Sequence, residues 1–165
     1  MPTTWQELAA EKKARQTASI PKEWLIAPPS DDILDVTDIP AKCGLLSERD
    51  LEITELNEVA VLLSKIAVGA WTSVEVTTAF CKRAVIAHQV VCALSFSLNV
   101  QLTSSCATIQ TNCLTEIFID RALERAAWLD EQLKSTGKVV GPLHGLPISL
   151  KDQIAIEGLE TTMGV

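Results

Sequence analysis

The sequence predicts an α/β layered fold, because helices with apolar stripes come first and a short run with the period of a strand follows them. Two hydroxyl and carboxylate pairs at capping-box spacing open helices, Thr4 with Glu7 and Thr72 with Glu75. Near the other end Leu146, Ile148 and Leu150 alternate with Pro147, Ser149 and Lys151, which gives a strand two different faces.

Taken in order, Thr4 caps a charged surface helix that ends near Pro21. Residues 21–50 carry Pro28, Pro29 and Pro40 among many acids, a composition suited to an extended arm wrapped over a body. Residues 1–50 therefore read as a helix plus arm, and 51–165 as the body. Leu51-Glu52-Ile53 alternates briefly, after which Thr54 can cap a helix bearing Val59, Leu62, Leu63 and Ile66 before Gly69. The helix opened by Thr72 carries Val76, Phe80, Ala84 and Ala87 on one face, and these two short helices are expected to pair as a hairpin. A third helix runs from Asp120 to Lys134, with Ala122, Ala126, Leu129 and Leu133 on one side, Asp130 one turn before Lys134, and Gly137 as its stop.

Composition removes several functional classes. With 165 residues, 47% hydrophobic and 21% charged, the chain can bury one core. A net charge of -7 lacks the basic surface that a phosphate backbone demands, so no nucleic-acid partner is expected. The start has no basic segment followed by an apolar core, which points to a cytoplasmic home. The uncharged stretch from Ala84 to Thr115 holds His88, Asn99, Gln101 and many hydroxyls, so no membrane span is expected either. The five cysteines form no CxxC pair and have no histidines nearby, so they read as free thiols without a metal site.

Residues 91–111 fit neither period and carry no charge between charge-rich flanks. A buried hairpin is one reading, though about twenty residues is long for a helix connection. A retained intron translated in frame is the other. If the stretch is protein, its apolar character predicts exposed hydrophobic surface and poor solubility.

The chemistry is expected in Gly141-Pro142-Leu143-His144-Gly145-Leu146-Pro147-Ile148-Ser149-Leu150-Lys151-Asp152-Gln153. A glycine-flanked turn delivers the chain into the strand, and the strand ends on Lys151, at the sheet edge where open α/β folds assemble their sites. A lysine serves as a base near neutral pH only where burial or a neighbouring cation disfavours its charge, so an ordinary solvated lysine is the competing reading. A P-loop is excluded, because Leu150 rather than glycine precedes Lys151. His144 reads as a turn histidine bonded to its local backbone, since His88 is the other histidine and lies within a helix. A lysine that carries pyridoxal phosphate lacks a glycine-rich phosphate cup here.

The run from Gly141 to Gln153, continued by Gly158, Thr161, Thr162 and Gly164, closely resembles the lysine-bearing block of the amidase signature family. Trp5-Gln6-Glu7, Ile20-Pro21 and Phe118 to Asp130 are similar to its fungal acetamidase branch. The resemblance implies a mixed sheet core covered by helices, of which this sequence supplies the N-terminal portion. It implies Lys151 as the catalytic base of a Ser/cis-Ser/Lys triad, hydrolysing a small aliphatic amide to acid and ammonia through an acyl-enzyme. No cofactor and no metal are implied; the partner is the small-molecule amide, and homo-oligomerisation of a full-length protein stays open. The family's glycine- and serine-rich block lies beyond its lysine block, and none of Ser95, Ser97, Ser104 or Ser105 sits in such a setting. Ser149 is read as local structure. The chain alone is therefore expected to be inactive, with a noncatalytic remnant or binding module of the same fold as the alternative. Sequencing the spliced transcript should show a message without the codons for residues 91–111, and a mature message that keeps them refutes the intron reading.

Overall fold

The computed structural model describes residues 4–27, 29, 33, 35–94 and 114–159. In order they form α1 (Trp5–Ala18), a 3₁₀ turn (Lys22–Trp24), α2 (Ile39–Lys42), α3 (Glu48–Thr54), α4 (Val59–Ala67), α5 (Ser73–Leu94) and α6 (Ile119–Thr136). Helix α5 is the axis, and it packs chiefly against α3 and α6.

Both predicted capping boxes form. The Thr4 N–H donates to Glu7 Oε2 at 2.7 Å and the Glu7 N–H to Thr4 Oγ1 at 3.3 Å. The Thr72 N–H donates to Glu75 Oε2 at 2.8 Å and the Glu75 N–H to Thr72 Oγ1 at 3.0 Å. A third box, Ser47 with Asp50, opens α3. Gly137 adopts the left-handed conformation after α6, with its N–H bonded to the Leu133 carbonyl, so it is the stop that the sequence indicates.

Three apolar clusters surround α5. Ile53, Leu62, Ile66 and Trp71 meet Val76 and Ala79 at its start. Ile20, Trp24 and Ile119 close over Val85, and Leu46 packs on Ile86 and Val90. Trp24, Val36, Ile39 and Leu46 all lie in the clusters around this helix. Burial of each large side chain contributes about 1.5–3 kcal/mol. Two polar links add direction. Lys82 of α5 pairs with Asp50 of α3 at 2.8 Å, and Arg83 donates to Thr54 Oγ1 at 2.8 Å. Burial alone would push the Asp50 carboxyl up, but Lys82 and the Ser47 backbone and hydroxyl groups outweigh it and hold it below the usual range.

Helix α1 is the expected surface helix, and one buried residue anchors it. The Gln16 side-chain amide donates to the carbonyls of Leu114 and Thr115, while Lys12 and Arg15 approach Glu116 at 3.4 and 3.5 Å.

Several expectations are corrected. The α/β layering is not seen, because no strand occurs among the described residues and 146–150 run unpaired. A strand exists only where another backbone supplies the ladder, and the described remainder is helix and turn. Leu51-Glu52-Ile53 belongs to α3, and Thr54 ends that helix, its hydroxyl bonded to the Asp50 carbonyl, instead of capping the next. The α4–α5 hairpin of short helices gives way to a 22-residue α5 flanked by α3 and α6. Its buried surface is wider than one stripe, and Ala87 is exposed. The α6 stripe holds: Ala126 is buried, and Ala122, Leu129 and Leu133 are half-buried. Residues 95–111 of the suspected insertion lie outside the described residues, and of 91–94 only the end of α5 is seen.

Among the described residues no helix is long and apolar enough to cross a membrane. His88 is buried on α5, and its Nδ1 accepts the Leu114 N–H at 3.4 Å. Burial holds its pKa below the ordinary 6.5. Because the folded value is depressed, this stability is fully present above 6.5 and is lost as pH falls below it toward the folded value. Thermal unfolding of the chain between pH 7.5 and 5.5 should therefore show a falling midpoint, and His88→Asn, whose amide oxygen can accept the same N–H, should lessen the fall.

Candidate functional site

The candidate block begins where α6 ends. After Gly137 the chain turns through 141–144, with the His144 N–H donating to the Gly141 carbonyl at 3.2 Å and the Leu146 N–H to the Leu143 carbonyl at 3.2 Å. His144 is buried, and its Nδ1 accepts the Val140 N–H at 3.1 Å. It is the locally bonded turn histidine that the sequence suggests. That bond places the neutral imidazole's proton on Nε2, which is buried without a partner among the described residues.

Gly145 follows with φ of +76°, a conformation that L side chains rarely adopt. Space forbids a side chain as well. A Cβ at this position would lie 2.5 Å from Ser73 Oγ, 3.1 Å from Ser73 Cβ and 3.2 Å from Ile66 Cδ1. Ser73 is the first residue of α5 and fully buried, and its hydroxyl also has no partner among the described residues.

A different side chain secures that helix end. Asp130 of α6 accepts the Ser73 N–H at 2.6 Å and the Val74 N–H at 3.0 Å. The start of a helix presents unpaired N–H groups with partial positive charge, and a carboxylate meets both needs. The sequence pairs Asp130 with Lys134 one turn on; the structure spends the carboxylate on α5 instead.

Beyond Gly145 the chain lies over an open groove of about 640 Å³ between α5 and α6. Leu146 packs against the first apolar cluster, whereas Ile148 is 69% exposed and Leu150 49%. Lys151 lines this groove together with Ser149 and Arg125. Its carbonyl accepts the Ile154 N–H at 2.9 Å, so the residue starts a turn, and its side chain is exposed. The burial that would desolvate the amine is not supplied by the described residues. Asp152 next to it accepts the Thr115 hydroxyl at 3.5 Å. Among the described residues no cluster of histidine, cysteine or carboxylate suits a metal ion. Cys81 also lines the groove, and burial pushes its thiol up, away from a nucleophilic thiolate.

The described residues thus present a glycine-histidine turn, followed by a lysine and an acid, on an open groove of a helical body. Residues 100–165 match the Amidase family model. The chain is 48% identical to the acetamidase of Emericella nidulans over 99% of its own length and 26% of that protein's. It is 45% identical to an amidase of Gibberella moniliformis over 97% of its length and 28% of the relative's. Fatty acid amide hydrolase has a similar structure, with a TM-score of 0.72 and 34% identity over 92% of this chain and 24% of that one. The residues that match the Amidase family model include the block around Lys151. The chain spans about a quarter of the length of the curated relatives it matches.

The sequence reading missed two residues of this site. Gly145 as a point of close approach was foreshadowed by its φ-permissive residue type, but nothing local announces that Ser73 fills the space. Asp130 carried no signal of its tertiary role, because a partner 57 positions away leaves no periodic trace.

Proposed function

We propose that this chain serves as the N-terminal part of an amidase that hydrolyses a carboxylic acid amide, with Lys151 as the base. The observation that supports this most is the placement of the lysine-bearing block: a turn pinned to α5 delivers Lys151 to the groove between α5 and α6. In this reading the amine takes a proton from a bridging serine, which activates a nucleophilic serine toward the amide carbonyl. The acyl-enzyme then forms with release of ammonia or an amine, and water completes the acid. Backbone N–H groups of a glycine-rich loop hold the developing oxyanion. In this reading those serines belong to polypeptide beyond the lysine block, as the family resemblance implies. The same polypeptide supplies the strands that turn 146–150 into part of a mixed sheet, covering Ile148 and Leu150 and desolvating Lys151. A small aliphatic amide such as acetamide is the proposed substrate, the cytoplasm the proposed location, and neither metal nor organic cofactor takes part.

The alternative is a noncatalytic module or remnant that keeps the family's first helices. It is favoured by the exposure of Lys151. Kinetics separates the two. In the full-length amidase built on this chain, Lys151→Ala should lower kcat for acetamide by about 10²–10⁴-fold, the usual contribution of a positioned base. Undiminished hydrolysis by that variant refutes the role of Lys151. The 165 residues alone should release no more ammonia from acetamide than their own Lys151→Ala control; release above it overturns the need for further serines.

A further inference from the structure

We propose that Asp130 is a positioning residue for Lys151, acting through the first turn of α5 and Gly145; this rests on Lys151 being the base. The contacts form one continuous chain. Asp130 holds the Ser73 and Val74 N–H groups at 2.6 and 3.0 Å, which sets where α5 begins and how its first residue is turned. Ser73 is fully buried there and occupies the space that a side chain on residue 145 would need, with its Oγ 2.5 Å from that position. Gly145 can therefore seat against Ser73 and Ile66, and its φ of +76° sends the chain off toward Leu146.

On the other side of Gly145 the chain is equally held. His144 is buried and closes the turn by accepting the Val140 N–H. Leu146 packs on the cluster that contains Ile66, Trp71 and Val76. The segment is thus gripped at 144–146, and this grip sets where the residues leading to Lys151 leave the helical body and enter the proposed sheet. Their course depends on where that grip lies. Interior packing transmits displacement rather than absorbing it, so a shift at the start of α5 moves the seat of Gly145 and the course of the chain toward Lys151.

An alternative use of Asp130 is a surface ion pair with Lys134 on its own helix. Geometry rules against it, since both carboxylate oxygens are taken by α5 backbone donors. Charge at a helix start and two charge-assisted bonds explain why the acid is held there.

The test uses the full-length amidase built on this chain, with Asp130→Asn and Gly145→Ala as separate variants. Asparagine keeps the size and one acceptor oxygen but loses the charge and the second acceptor; alanine meets Ser73 directly. Each folded variant should lower kcat by roughly a hundredfold, the scale of a displacement of about 1 Å at a catalytic group. KM should stay near the parent value, and the pH profile of kcat should shift, because the seat of the base rather than substrate binding is disturbed. A purely structural role would lower only the fraction of folded enzyme and leave the kcat of the folded fraction and its pH profile untouched. That result in either variant overturns the proposal. Should Asp130→Asn fail to fold, Gly145→Ala at the other end of the same contacts decides it alone. Lys151→Ala, run in parallel, separates the two ideas: full activity in that variant sinks the base reading, whereas an inactive Lys151→Ala beside unaltered Asp130→Asn and Gly145→Ala enzymes sinks only the positioning role.

Discussion

The first turn of α5 turns Ser73 into the interior and leaves Thr72 and Glu75 exposed, and its backbone N–H groups are reached by side chains. Thr72 and Glu75 satisfy each other's backbone donors, and Asp130 of α6 satisfies those of Ser73 and Val74. An unpartnered buried donor costs about 1–3 kcal/mol, so the acid from the neighbouring helix stabilises the burial of Ser73. Once it is buried, α4, Trp71 and Gly145 can close around it, and the glycine turn that leads to Lys151 has a fixed seat.

Acids recur in this role across the molecule. Asp50 closes the α3 cap and receives Lys82 from α5, and Glu116 receives Lys12 and Arg15 from α1. Exposed pairs of this kind contribute little energy, but the Asp50–Lys82 pair is largely removed from water and joins the same helices as the apolar clusters.

Apolar side chains are left in the open both before and after α6. Val140, Leu143, Ile148, Leu150 and Ile154 are each about half exposed or more, as are Trp5, Leu8, Leu25, Val59 and Val68. The matched portion covers only 24–28% of each relative and of the structural neighbour. Lys151 lines the groove and is exposed.

Local chemistry made much of this legible in the residues themselves. The Thr4 and Thr72 boxes, the α6 stripe, the Gly137 stop and the bonding of His144 follow from interactions within four or so positions, where spacing alone decides who meets whom. The family was readable for a related reason, as a dense run of glycines and prolines before Lys151 restricts the backbone so narrowly that its order is distinctive. Other features depended on partners that spacing cannot reveal. Leu51-Glu52-Ile53 looked like alternation but joined a helix once Ser47 and Asp50 capped it, and 146–150 has the period of a strand without a ladder to make it one. Asp130 belongs to α5 and not to Lys134, and Gly145 is required by Ser73, because contacts between distant segments are settled by packing and burial in three dimensions.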